Sequence, residues 1–243
     1  MAQVLNDFEG VLLIDKPTGI TSHDVVDRVR RKLKMKRVGH AGTLDPLATG
    51  LLIILVGKAT KLSARLMGLD KEYEGTIEFG KRSDSYDIDG EILETLDVPE
   101  SITAERIQEE MNTYIGDQYQ TPPMFSAVKI KGVPLYKHAR KGKEVAREPR
   151  FIRVSSYTLN SWESPKAAFY VYCTKGTYIR SLAHDVGQKL GCGGMLIQLR
   201  RTASNNLSLK DAVTLEDFEN ESLADVSKYL MPGYRALTPE EAT

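Results

Sequence analysis

The sequence predicts an α/β fold of the α+β kind, a mixed and largely antiparallel central sheet with flanking helices. Apolar runs of strand length alternate with amphipathic helical stripes along the whole chain, and the order of elements mixes hairpin-like with crossover connections. The chain has 243 residues and is 41% hydrophobic, enough to bury a sizeable core. There is no internal repeat. Residues 1–230 read as one domain, with a basic insertion at about 121–150 and a short acidic tail at 231–243 that makes no second core.

Residues 10–15 form a buried strand, broken by the turn Lys16-Pro17-Thr18-Gly19. Thr21 and Asp24 have capping-box spacing. Val25, Val26, Val29 and Leu33 then recur on one helical face and leave Arg28, Arg31 and Lys32 toward solvent or a ligand. Residues 39–50 read as a loop, 51–56 as a strand and 58–67 as a helix. Alternation from Tyr73 puts Ile77 and Phe79 on its face and Glu74, Thr76 and Glu78 on the other, which is a strand. Residues 81–90 read as a polar loop. Ile107, Met111, Tyr114 and Ile115 mark an amphipathic helix. After Thr121-Pro122-Pro123, residues 124–131 can pair as a strand and 135–141 form a short helix closed by Gly142. Strands follow near 152–159 and 167–174, then a helix carrying Ile179, Leu182, Ala183, Val186 and Leu190 up to Gly191, and a strand at 195–200. Thr214 and Asp217 cap a last short helix.

Two cysteines, Cys173 and Cys192, without a CxxC pair, and four histidines supply neither a disulfide framework nor a four-ligand zinc set. No metal and no cofactor is expected. The first residues carry no basic leader, and no apolar run reaches the roughly 18 residues of a membrane span, so a cytoplasmic protein without membrane contact is expected. Net charge is zero, but it is segregated. Residues 28–37 hold seven Lys or Arg and no acid, residues 121–150 hold eight against Glu144 and Glu148, and residues 84–117 hold eleven Asp or Glu against Arg106. Such polarity suits a protein that grips phosphate on one side, although each basic run also reads as an ordinary solvated face.

One stretch is shaped for chemistry. Gly39-His40-Ala41-Gly42-Thr43-Leu44-Asp45-Pro46-Leu47-Ala48-Thr49-Gly50 places a single carboxylate in a loop next to a buried strand, where Pro46 biases Asp45 toward an extended backbone and the glycines admit a substrate. Alone, Asp-Pro also starts an ordinary turn. Gly57-Lys58-Ala59-Thr60 fails as a phosphate-binding loop because Ala59 follows the lysine, and no HExxH, GxSxG or GxGxxG motif is present. Arg180, in Lys175-Gly176-Thr177-Tyr178-Ile179-Arg180, falls in a helix's first turn, where the dipole disfavours a cation unless an anion, a buried carboxylate or an RNA phosphate, lies near. Tyr73 by itself reads as a strand core residue.

Taken together, residues 39–50, Lys58-Ala59-Thr60-Lys61, Tyr73, residues 175–180, Gly191-Cys192-Gly193 with Leu199-Arg200-Arg201, and Asp15-Lys16-Pro17-Thr18-Gly19 with Thr21-Ser22 closely resemble the TruB family, the tRNA pseudouridine-55 synthases. The resemblance runs in family order from about residue 12 to residue 215. It implies a pseudouridine synthase fold and an isomerase that acts on uridine 55 in the tRNA T-loop, by base flipping, aspartate-dependent glycosidic cleavage and reattachment through C5. It implies Asp45 as the essential aspartate, Tyr73 as the tyrosine packed on the uracil and Arg180 as the partner of the aspartate. His40 matches a histidine associated with the flipped nucleotide, Tyr178 and Leu199 match pocket positions, and Lys16 matches a lysine near the cleft. The partner implied is the tRNA T-stem-loop, met by a monomer that needs no guide RNA or protein partner.

On that reading the insertion, with Lys129, Lys131, Arg140 and Lys141, closes over RNA, while the run from Arg28 through Arg31 to Arg37 contacts its backbone. The sequence departs from common bacterial members at its end. A PUA-like C-terminal domain is absent or truncated, with Thr238-Pro239-Glu240-Glu241-Ala242 as its opening at most. The alternative function is a tRNA-binding and folding module in which catalysis is dispensable.

Overall fold

The structure, a computed structural model, describes residues 7–130 and 132–237. Lys131 and the segment from Thr238 onward lie outside the described residues. The chain divides into two compact units. One holds residues up to Tyr73 and from Leu199 on, the other Glu74–Gln198.

In the first unit, β1 (Gly10–Lys16) leads into α1 (Ser22–Leu33), followed by β2 (Val38–Ala41) and β3 (Thr49–Val56). A 3-10 turn at Gly57–Leu62 and the short α2 (Ser63–Met67) come next. The predicted capping box is present, since the Thr21 side chain accepts from the Asp24 N–H and Asp24 accepts from the Thr21 N–H. β3 runs antiparallel to β1 and to β2. Val11, Leu13, Leu51, Ile53 and Leu55 pack with Leu66 on one face of the pair. Leu12, Ile14, Leu52 and Ile54, of opposite parity, are buried as well, so these strands read as continuous apolar runs rather than alternating ones.

β4 (Lys71–Phe79) enters the second unit at Glu74. β5 (Lys81–Ser83), β6 (Ile92–Thr95), α3 (Ala104–Asn112) and β7 (Gly116–Gln120) follow. The basic insertion contributes only β8 (Lys129–Ile130), β9 (Val133–Pro134) and α4 (Leu135–Ala139). β10 (Arg150–Glu163), β11 (Lys166–Cys173) and α5 (Ile179–Lys189) complete the unit, in which the strand order is β4-β11-β10-β7. Ile107 and Met111 of α3 are buried with Ile152, Val154, Tyr157, Phe169 and Val171, and the rings of Tyr157 and Phe169 meet edge to face at 5.4 Å. The Gln108 amide donates to the Tyr157 carbonyl at 3.0 Å and accepts from the Leu159 N–H at 2.7 Å, which ties α3 to β10.

β12 (Gly194–Ser204) returns the chain to the first unit at Leu199, where Arg200 and Arg201 lie parallel to Thr49 and Gly50 of β3. β13 (Leu207–Ser208), β14 (Val213–Thr214), α6 (Leu215–Asn220) and β15 (Leu230–Met231) finish the described chain, with β14 parallel and β15 antiparallel to β1. The mixed, largely antiparallel sheet and flanking helices agree with the sequence expectation.

Several local readings need correction. Residues 39–41, read as loop, belong to a strand, because Val38 to Ala41 pair with Val56 to Ile53, and Thr49 and Gly50 already belong to β3; the loop is residues 42–48. The helix expected through Ile115 ends at Asn112, where Thr113 caps it and Ile115 is left exposed. Residues 58–67 are 3-10 before they are α-helical. Of residues 124–131 only Lys129 and Ile130 are described as strand. Residues 81–83, read as loop, pair with residues 92–95.

Candidate active site

In the first unit, residues 16–22 hold the middle of the Asp45 loop. The Lys16 side chain is fully buried, and its ammonium donates to the carbonyls of Ala48 at 2.7 Å, Pro17 at 2.9 Å and Pro46 at 3.4 Å. A buried ammonium costs several kcal/mol unless its donors are satisfied, so Lys16 selects the loop conformation that presents those carbonyls. Ser22, the first residue of α1, holds Leu44 from both sides, donating to its carbonyl at 2.9 Å and accepting from its N–H at 2.8 Å. The Gly19 N–H donates to the Pro46 carbonyl at 2.9 Å, the Thr18 hydroxyl to the Leu47 carbonyl at 3.1 Å, and a turn closes from the Ala48 N–H to the Asp45 carbonyl at 3.0 Å. The half-exposed Asp45 is thus bracketed by bonds to its neighbours on both sides.

Arg201 is the second internal fastener. Its fully buried guanidinium donates to the carbonyls of Leu51 at 2.7 Å and Gly42 at 3.0 Å, joining the two ends of the loop. Gly50 adopts φ +94°, and a Cβ there would meet the Arg201 carbonyl oxygen at 2.3 Å, so only glycine lets β12 come so close. His40 lies on β2 opposite Ile54, with Nδ1 buried and unpartnered. Burial, reinforced by the Arg201 charge, pulls its pKa below the ordinary histidine value, so the ring is neutral at pH 7. Tyr73 is 8% exposed and shares its face of β4 with Ile77 and Phe79, as the alternation predicts. The half-buried Leu199 accepts at its carbonyl from Thr49 at 3.3 Å. The neighbouring Arg200 forms a two-pronged ion pair with Asp15 at 2.6 and 3.1 Å.

The second unit holds Tyr178 and Arg180. Tyr178 precedes α5, and the Gln120 amide brackets its peptide, accepting from its N–H at 2.8 Å and donating to its carbonyl at 3.1 Å. Arg180 sits in the first turn of α5, 4% exposed. It donates to the carbonyls of Ser85 at 2.9 Å and Phe125 at 2.8 Å, and lies 3.4 Å from the carboxylate of Asp87. A buried carboxylate is therefore one anion that offsets the helix dipole. Asp87 was missed in the sequence because it falls in the polar run read as a loop. Its signal was Ser83 to Gly90 itself, a cluster of turn-forming side chains that bond inward, with Ser85 Oγ donating to Asp87 at 2.5 Å and Ser83 Oγ to its carbonyl at 2.6 Å. Beside it Tyr86, at φ +68°, stacks on His184 with ring centroids 3.9 Å apart. Burial, with the Arg82 charge adding, pushes the His184 pKa down to about 4.

The basic candidates divide. Arg28 is half-buried and ion-paired with Glu219 at 3.4 Å, and Lys32 donates to the carbonyls of Glu219 and Glu221. Contrary to the expectation of a free basic face, that side of α1 fastens α6. Arg28 also lines a cleft of about 480 Å³ with Arg200, Glu216 and Glu219, whose walls carry both signs of charge. Arg31, Lys129, Arg140 and Lys141 are exposed, with Arg140 over the Tyr136 ring at 5.6 Å. Among the described residues no group of three or more His, Cys, Asp or Glu could hold a metal ion, and no helix is long and apolar enough to cross a membrane.

The fold matches that of chains in solved ribonucleoprotein and protein complexes. It superposes on a chain of a Cbf5-Nop10-Gar1 complex with a TM-score of 0.73 at 30% identity, covering 95% of this chain and 62% of that one. It also superposes on a chain of an H/ACA RNP bound to a substrate RNA containing 2'-deoxyuridine, with a TM-score of 0.69 at 27% identity, covering 93% and 60%. The family model that matches most of the chain defines the class, a pseudouridylate synthase.

Within that class the chain belongs to the TruB family. The TruB family pseudouridylate synthase N-terminal domain matches residues 30–179, and the tRNA pseudouridylate synthase B C-terminal domain matches residues 180–238. Proteins named tRNA pseudouridine synthase B are similar over most of the chain. That of Opitutus terrae is 60% identical over 97% of this chain and 98% of its own length, and that of Aquifex aeolicus is 45% identical over 92% and 77%.

Two outcomes follow from this geometry. Ser22→Ala removes the partner of both the N–H and the carbonyl of Leu44 and should cost about 1–3 kcal/mol of stability in urea unfolding; a cost near zero would mean that the hydroxyl does not hold the loop. Between pH 6.5 and about 4 the unfolded chain takes up a proton on His184 that the folded chain resists, so stability contributed by the neutral ring is lost as pH falls through that window. His184→Phe keeps a ring on Tyr86 without the titration. Its urea midpoint should therefore fall less than the wild type's between pH 7 and 4.5, and parallel slopes would refute the assignment.

Proposed function

We propose that the chain converts a uridine of tRNA, uridine 55 in the T-loop, to pseudouridine, with Asp45 as the reacting carboxylate. The observation that carries this reading is the loop itself. An aspartate is held at a fixed position by bonds to Leu44, Pro46, Leu47 and Ala48, all supplied by residues 16–22. A carboxylate that must meet one atom of a substrate gains from such preorganisation, because its geometry is set before the reaction begins. The relatives' shared name, tRNA pseudouridine synthase B, supports the same activity and the tRNA substrate.

The reaction breaks the bond from N1 to C1′, turns the uracil and joins C5 to C1′; the proton leaves C5 and N1 gains one. No atom is lost and no electron changes hands. The Asp45 carboxylate can act as nucleophile at C1′ or C6, or as base at C2′. A uridine stacked in a loop must first be everted, at a cost of a few kcal/mol. The neutral, apolar-faced ring of His40 is proposed to fill the gap that the base leaves, and Tyr73 and Leu199 to confine the detached uracil. Tyr178 and Arg180 are proposed, on the family resemblance, to serve the same reaction. The exposed side chains of Arg31, Lys129, Arg140 and Lys141 are proposed to neutralise RNA phosphates, with Arg28 contributing only where it can leave Glu219.

Asp45→Asn should lower pseudouridine formation on an unmodified tRNA transcript by at least about 100-fold while tRNA affinity stays within a few-fold of wild type. Mapping the product places it in the T-loop or elsewhere, and unchanged turnover would remove Asp45 from the chemistry. Replacing Lys129, Lys131, Arg140 and Lys141 with Gln should weaken tRNA binding and flatten the slope of log affinity against log salt by about 3. An unaltered slope would free the insertion of any role in phosphate contact.

A further inference from the structure

We propose that Tyr119 and Phe151, on the outer edge of the second unit, form a stacking site for an unpaired base of the substrate RNA; this rests on the RNA-directed function above. The two residues face each other directly across β7 and β10, with ring centroids 5.9 Å apart and planes at 76°. They are 74% and 59% exposed, the most open aromatic side chains of this unit's sheet. Single exposed aromatics are common on protein surfaces. A paired set, held by the strand ladder and mostly exposed, is a preformed apolar platform. The edge-to-face arrangement leaves a ring face open to a planar ligand.

Charge decides what the ligand is. The basic insertion leaves the sheet one residue after Tyr119 and rejoins it one residue before Phe151, so the pair stands at its root. Residues 121–150 carry eight Lys or Arg against Glu144 and Glu148. Arg150, which precedes Phe151 at the start of β10, is exposed, and the exposed Lys175 follows Thr174, whose N–H donates to the Arg153 carbonyl at 2.9 Å. Arg153 itself is neutralised by Asp117 at 2.5 and 2.9 Å on the same face of the hairpin, next to the aromatic pair. An open aromatic pair at the root of a strongly basic insertion fits a nucleobase with its phosphates, the combination by which single-stranded RNA is held without reading its sequence. The other exposed apolar stretch of this unit, Ile92, Leu93 and Leu96, lies among Glu91, Glu94 and Asp97 and would repel a phosphate.

The test compares binding of an unmodified tRNA transcript, read by fluorescence anisotropy, for wild type, Tyr119→Ala with Phe151→Ala, and Tyr119→Phe with Phe151→Tyr. The alanine pair should bind about 10-fold more weakly with kcat unchanged at saturating RNA, and the aromatic exchange should restore wild-type affinity. Affinity within twofold of wild type for the alanine pair would overturn the proposal, as would equal losses in both double variants. A wild-type dimer that the alanine pair dissociates, seen by sedimentation, would make the pair a protein contact and overturn it as well. Because binding is read without turnover, the comparison decides the stacking site even if the wild type converts no uridine, and that failure would fall on the catalytic reading alone.

Discussion

A single ammonium buried beneath the Asp45 loop sets the geometry on which the rest of the first unit depends. Lys16 has no exposed surface, so each of its donors must find an acceptor inside the protein, and it finds them in the carbonyls of Pro17, Pro46 and Ala48. Those carbonyls flank the aspartate. The hydroxyl of Ser22 and the N–H of Gly19 close the same clamp from the start of α1 and the turn before it. A loop of seven residues with glycine at one end and proline inside would otherwise sample many conformations, each placing the carboxylate elsewhere. The clamp removes that freedom before any substrate arrives.

Both units treat internal cations in the same way. Lys16 and Arg201 in one, and Arg180 in the other, are almost fully buried and spend their donors largely on backbone carbonyls. Carbonyl dipoles satisfy a charge without adding a second ion to be desolvated, and they pin main chain rather than flexible side chains. Where a carboxylate is also recruited, as with Asp87 beside Arg180, the loop that carries it is itself knitted by Ser83 and Ser85. The zero net charge of the chain thus conceals two populations. One is fixed inside as structure; the other, including Arg31, Arg140, Lys141 and Arg150, stands in solvent and remains available to a polyanion.

Much of the fold was legible because its signals are local. The Thr21 and Asp24 capping box, the Thr214 cap, the alternation from Tyr73 to Phe79 and the helical stripe from Ile179 to Leu190 each depend on residues a few positions apart. Other elements were not. β2 is four residues long and includes three residues of a glycine-rich motif, so nothing in its own composition says strand; it is one because β3 offers an edge. The basic side of α1 looked free because the acceptors that turn Arg28 and Lys32 inward, Glu219 above all, lie 191 and 187 positions away. Asp87 was hidden for the same reason, since its partner is 93 residues further along.

The sequence by itself determined the class of fold, the buried apolar strands, the caps and the loop that carries Asp45, because periodicity and turn chemistry act over short stretches of chain. Through the combination of its motifs it also pointed to the TruB family. Only the tertiary structure decided that Lys16 is a fastener beneath that loop rather than a free cation, that Arg201 joins the loop's two ends, that Asp87 accompanies Arg180 and that Tyr119 and Phe151 stand together in solvent. Each of these is a relation between residues distant in the chain. Whether a charge is buried, paired or exposed depends on which other segment is folded against it, and one-dimensional spacing does not encode that.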